Sequence, residues 1–80
     1  MIVNLGWCVA VGTGDARRYL VRVAAGEPLL TAEIKEAKFS DEYEARKLAL
    51  AVDRVLPGAR AMYVPFSERG NSVDPWMLVG

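Results

Sequence analysis

The chain contains no histidine. That removes the usual general base near neutral pH, every His-ligated metal site, and the Ser-His and Cys-His pairs that activate nucleophiles. Most hydrolytic designs are excluded with it. Cys8 is the only cysteine, so neither an intrachain disulfide nor a multi-cysteine zinc site can form, and a reducing, cytoplasmic setting is expected. Net charge is absent too. Ten Lys and Arg are matched by ten Asp and Glu, so the long-range attraction behind nonspecific nucleic-acid binding is missing on average, and only a local patch could supply it. No uninterrupted apolar run approaches the roughly 18 residues of a membrane span. The segment Met1 to Val11 lacks a basic start and is broken by Asn4 and Gly6, so neither a signal peptide nor a membrane span is expected. No internal repeat or low-complexity stretch occurs.

What is present suits one small folded domain over residues 1–80, with 52% hydrophobic and 25% charged residues. A chain of this size buries only about 60 to 65% of its unfolded surface, so modest stability is expected and weak dimerisation would help it. The clearest element is helical. Ser40 suits an N-cap, and Asp41, Glu42 and Glu44 load the first turn with the charge that the helix dipole favours. Pro57-Gly58 stops the helix, which is therefore expected over about 41–56. Its apolar stripe is Ala45, Leu48, Ala49, Val52, Val55 and Leu56.

The remainder alternates with the period of a strand. Val3, Leu5, Trp7, Val9 and Val11 face away from Asn4, Gly6, Cys8 and Ala10, which predicts a strand over about 2–12 with a large face and a small one. A second strand is expected over 17–24, after a turn at Gly12-Thr13-Gly14-Asp15. A third follows a Gly26-Glu27-Pro28 turn, over about 29–39. The third changes phase between Ile34 and Ala37, which predicts an irregularity near Lys35-Glu36. A fourth runs over about 59–66, ending at Pro65 or lying at an edge. Ser67 to Asp74 reads as loop. Residues 75–80 either add a short strand over about 76–79 or pack Trp76 over an open end of the core. Strand, strand, strand, helix, strand describes an α+β two-layer sandwich, with an antiparallel sheet of four or five strands and one helix across one face. The sheet's other face is then solvated, self-associated or used for a partner.

No catalytic residue, metal ligand or cofactor site is assigned. Gly12-Thr13-Gly14 resembles the start of a dinucleotide fingerprint, but the third glycine is missing and a strand follows instead of a helix. Cys8, between Trp7 and Val9, reads as a small packing residue rather than a nucleophile. Half of the acids, Glu33, Glu36, Asp41, Glu42 and Glu44, fall within residues 33–44 with Lys35 and Lys38 among them. Without convergence in a cleft these are a solvated surface.

Two surfaces could recognise a partner. On the outer helix face Tyr43 and Leu50, seven residues apart, line up among Arg46, Lys47 and Arg54. Aromatic and arginine side chains of this kind anchor protein interfaces. Residues 33–44 carry five acids and two bases, and residues 46–60 four bases and one acid, a division that suits a protein better than a polyanion. Secondary candidates are Glu33 and Glu36, with Arg17, Arg18 and Arg22 on the second strand. There Arg18 and Arg22 would share a face and Tyr19 would take the other.

The order of elements resembles that of small phage-encoded proteins of strand-strand-strand-helix-strand design, among them anti-CRISPR proteins directed against type I surveillance complexes. The resemblance runs from Tyr19 to Phe66: Tyr19-Leu-Val-Arg-Val, Gly26-Glu-Pro-Leu, Ala37-Lys-Phe-Ser-Asp-Glu-Tyr-Glu-Ala-Arg entering the helix, and Pro57-Gly-Ala-Arg before the last strand. It rests on turns and caps, so no set of binding residues carries over. It implies a non-enzymatic inhibitor, acting in the cytoplasm of a bacterial host, that binds an effector subunit and blocks target DNA. The arm-site-binding domain of phage integrases is similar in placing three strands before a helix. This chain departs from it in its zero net charge, its sparsely basic sheet and its fourth strand.

Overall fold

The computed structural model describes residues 2–65, 68 and 76–78. Within them lie six strands and one α-helix: β1 Ile2–Asn4, β2 Trp7–Val11, β3 Arg18–Ala24, β4 Glu27–Thr31, α1 Glu42–Asp53, β5 Arg60–Tyr63 and β6 Trp76–Leu78. Four strands form an antiparallel sheet in the order β4-β3-β2-β5, and α1 packs against β2 and β5. The chain is thus a small α+β domain.

The first predicted strand is two. β1 ends at Asn4, the chain bends at Leu5-Gly6, and the carbonyl of buried Gly6 accepts the Val64 N–H at 2.8 Å. β1 then pairs antiparallel with β6 in a separate two-stranded sheet, Ile2 opposite Leu78 and Asn4 opposite Trp76. The segment near the C-terminus therefore forms a strand, but not one that widens the main sheet. The expected loop over 67–74, apart from Glu68, lies outside the described residues, as do Phe66, Pro75, Val79 and Gly80.

The β3–β4 turn is tighter than expected. Ala25 (φ 54°) and Gly26 (φ 80°) are its two central residues, the positive-φ pair that suits the twist of a two-residue hairpin. Glu27 and Pro28 are therefore strand residues paired with Ala24 and Val23. Pro28 is tolerated because β4 is an edge.

β4 stops at Thr31, well short of residue 39. The predicted phase change is a 3-10 turn at Ile34–Glu36, which carries the chain past β3. β2 and β3 pair only at Ala10↔Tyr19 and Val11↔Arg18; beyond Leu20 they diverge, and residues 38–40 enter the fork. The Lys38 N–H donates to the Leu20 carbonyl at 2.9 Å, and Trp7 and Ser40 exchange hydrogen bonds of 3.0 and 2.8 Å. Register shifts between Leu20 and Arg22, leaving Val21 as the extra residue of a bulge.

Ser40 is occupied by that bridge, so the helix cap falls one residue later. The Asp41 carboxylate accepts the Glu44 N–H at 2.8 Å. At the other end Val55 and Leu56 both donate to the Val52 carbonyl, and the Asp53 carboxylate accepts the Gly58 N–H at 2.8 Å. α1 is thus wound off after Asp53 rather than at residue 56. Val55 consequently leaves the apolar stripe and is 56% exposed. Ala45, Ala49 and Val52 are buried; Val9, Leu20, Ala49 and Val52 form the core, ringed by Val11, Leu30, Leu48, Leu56 and Ala59. Alanine at 45 and 49 lets α1 lie close on the sheet.

Candidate interaction surface

With the buried stripe of α1 on the sheet, the opposite side is turned outward. Tyr43 is 74% and Leu50 71% exposed, and Arg46, Lys47 and Arg54 beside them are exposed as well. The two apolar side chains add nothing to the core. Arg46 pairs with Glu42 one turn back at 2.6 Å, and Lys47 lies 3.8 Å from Glu44. The Lys47 ammonium sits 5.7 Å from the centre of the Tyr43 ring. All these groups are in water, so the pairs contribute only about 0.3–0.5 kcal/mol each and can be exchanged for contacts to another molecule. Arg54 and Arg60 have no ion-pair partner among the described residues.

Beside this face lies a groove of about 380 Å³ lined by Arg46, Ala49, Leu50, Asp53, Ala59 and Arg60. Arg46 and Leu50 belong to both features. Ala49, Asp53, Ala59 and Arg60 were not legible as site residues, because the groove exists only once β5 is laid beside α1. The excess of bases over residues 46–60 was the one signal that touched Arg60.

The secondary candidates are scattered. Arg18 is exposed, and its Nη1 donates to the backbone carbonyls of Asp15 and Arg17 at 3.1 and 2.8 Å. The bulge at Val21 corrects the face assignment. Leu20 pairs with Leu30 but Arg22 pairs with Leu29, so Arg22 is on the face of Tyr19, away from the helix, and not on that of Arg18. Arg17 is half-buried, and its buried Nε finds no hydrogen-bond partner among the described residues. Glu33 and Glu36 are exposed and bracket the 3-10 turn, where the Glu33 N–H donates to Thr31 Oγ1 at 3.0 Å. Among the described residues no three of His, Cys, Asp and Glu gather as a metal site would require. Of the acidic run, Asp41 caps the helix while Glu42 and Glu44 pair with Arg46 and Lys47.

The small face of β2 is covered: Cys8 and Ala10 are 1% and 0% exposed. Tyr19 and Arg60 lie either side of Ala10, and Met62 beside Cys8. Burial pushes the Cys8 thiol from 9.0 up to about 11, opposed by the nearby Arg17 charge, and it is a packed thiol rather than a thiolate. Among the described residues no helix is long and apolar enough to cross a membrane. No family model, curated protein or solved structure matches the chain at a significant level.

Proposed function

We propose that the chain is a non-enzymatic protein-binding module that presents the outer face of α1 to its partner. The observation that carries this reading is the alignment of Tyr43 and Leu50, each more than two-thirds exposed, among Arg46, Lys47 and Arg54 on a helix held to the sheet by its other side. Such a strip combines apolar anchors that gain by losing water with cations that steer and orient an acidic surface. Following the resemblance to the phage-encoded inhibitors, the partner is a subunit of a type I CRISPR surveillance complex in a bacterial cytoplasm, and binding denies target DNA its site.

The test is a pull-down of the purified chain with type I effector complexes, followed by target-DNA binding with and without it. Association that the Tyr43→Ala, Arg46→Ala double variant abolishes supports the reading. Absence of association with every subunit ends it for CRISPR targets.

A second reading is favoured by the bulge at Val21, which brings Arg22 onto the face of Tyr19. A basic and aromatic sheet face is how a small DNA-binding domain of the integrase arm-site type would contact duplex DNA. That reading requires affinity for duplex DNA that falls steeply with salt. A flat titration at low salt removes it.

A further inference from the structure

We infer that the sheet face turned from α1 binds single-stranded nucleic acid, with phosphates on Arg17, Arg22 and Arg60 and a base on Tyr19. This goes beyond the protein-binding reading, because it uses the opposite side of the domain, and it differs from the duplex reading in the strand it takes. Register brings the four side chains together. Val9 lies in the core with Ala49 and Val52 of α1, so Ala10, the next residue of β2, is on the other face. Tyr19 on β3 and Arg60 on β5 are the two partners of Ala10 and share that face. Tyr19 pairs with Thr31 and Arg22 with Leu29, two positions apart on β4, so Arg22 shares it as well. Arg17 is extended, with φ −65° and ψ 135°, and alternates with Arg18 onto the side of Tyr19; Cys8, on the same face, feels its charge. Arg17 and Arg22 therefore flank Tyr19 along β3, and Arg60 stands two strands away, about 10 Å across Ala10.

The charge of this face is unanswered. None of the three arginines has an ion-pair partner among the described residues, and the buried Nε of Arg17 has no acceptor there. Glu27, opposite Ala24 beside the β3–β4 turn, is the one acid that strand pairing puts on this face among the described residues. A local basic patch thus exists on a chain whose net charge is zero. Guanidinium groups match phosphate oxygens as planar forks. The ring between the cations is what favours a nucleic acid over an acidic protein segment, because a base can stack on Tyr19 while its neighbouring phosphates reach the arginines. In a duplex the bases are already stacked on one another, and α1, the element that could enter a major groove, lies on the opposite side.

The test is fluorescence anisotropy of labelled oligo(dT) and oligo(U), a DNA duplex of equal length and poly-glutamate, each titrated with the full chain over a range of salt. The single strands bind at low salt, more tightly than the duplex or poly-glutamate, and the better of the two tells DNA from RNA. Three phosphate contacts give a slope of log K against log salt of about −2, each contributing about −0.7. Arg17→Ala and Arg60→Ala each make the slope shallower by about 0.7. Tyr19→Ala weakens binding about fivefold or more at unchanged slope, as loss of one stacked base requires. Arg18→Ala, whose side chain is held by the carbonyls of Asp15 and Arg17, binds like the natural chain, and so does the Tyr43→Ala, Arg46→Ala double variant, which separates this face from the outer helix face. Thermal melts identify any variant that unfolds, and Tyr19→Leu, apolar but without a ring, replaces Tyr19→Ala in that event. Absence of single-strand binding at low salt, tighter binding of the duplex or of poly-glutamate, a slope that both arginine variants leave unchanged, or full affinity without the Tyr19 ring would each overturn the inference.

Discussion

Titrating Cys8 offers the sharpest check on the packing of the sheet. Its thiol, 1% exposed, is pushed from 9.0 to about 11 because burial disfavours the thiolate, the Arg17 charge offsetting only part of this. Below pH 9 the thiol is protonated in the folded and unfolded chains alike, so the stability that its burial permits is fully present. As pH rises the unfolded chain loses this proton first and the folded chain holds it, so stability falls until pH exceeds the folded value near 11. A gap of about two pH units corresponds to about 2–3 kcal/mol. Against a total of about 4–12 kcal/mol for a domain of this length, that is a large fraction. The measurement is urea unfolding from pH 7 to 11, under reductant, for the natural chain and for Cys8→Ala. Other titrating groups are common to both, so their stability difference isolates the thiol. The natural chain should lose about 2 kcal/mol relative to the variant across that window. A difference constant with pH would show that Cys8 is solvated, and with it that the face of β2 turned from the helix is uncovered. Arg17→Ala should move the thiol still higher.

Asp41→Ala should cost about 0.5–2 kcal/mol, because the Glu44 N–H loses its acceptor; Ser40→Ala, at the expected cap, should cost less, and chemical unfolding of the two variants compares them directly. Ala25→Asn should stabilise by about 0.5–1 kcal/mol, since asparagine tolerates the positive φ that alanine is forced to adopt, and an unchanged or lowered melting temperature would count against the hairpin geometry. Gly12→Ala should be destabilising, as its new Cβ would meet the Ala16 carbonyl oxygen at 2.9 Å at a φ of +84°; a thermal melt reads it. Tyr43→Ala with Arg46→Ala should shift stability by no more than about 0.5 kcal/mol, the scale of exposed helix pairs, while abolishing partner binding.

Local signals carried much of this fold. Period-two runs placed β2 and β3, the acids marked the start of α1, and the phase change after Ile34 marked a real break in the third strand. Each rests on contacts between near neighbours in sequence. The failures share the opposite cause. Ser40 reads as a cap in isolation, yet its backbone is committed to Trp7, 33 positions earlier in the sequence, and the cap moves to Asp41. Val21 gives no sign of bulging, because what displaces it is the wedge of residues 38–40 between β2 and β3. That single extra residue then moved Arg22 to the other face. The groove is of the same kind: Leu50 and Ala59 line it together only because the chain returns beside α1.

The outer face of α1 was legible for the reason that the groove was not, since helical periodicity alone aligns Tyr43 with Leu50. Exposed single hydrophobics are ordinary on protein surfaces and carry no argument by themselves. The case here is different because the folding duties of α1 are accounted for elsewhere: Asp41 starts it, Asp53 and Gly58 end it, and Ala45, Ala49 and Val52 hold it to the sheet. Tyr43 meets Lys47 on exposed surface, and Leu50 stands at the lip of a groove between α1 and β5. Side chains that the fold does not use, placed in line beside a concavity, are what the proposed binding role requires of this face. Replacing Leu50 by Glu separates the two accounts: a merely solvated helix face would gain solubility and keep every interaction, whereas a docking face would lose its partner with the fold intact.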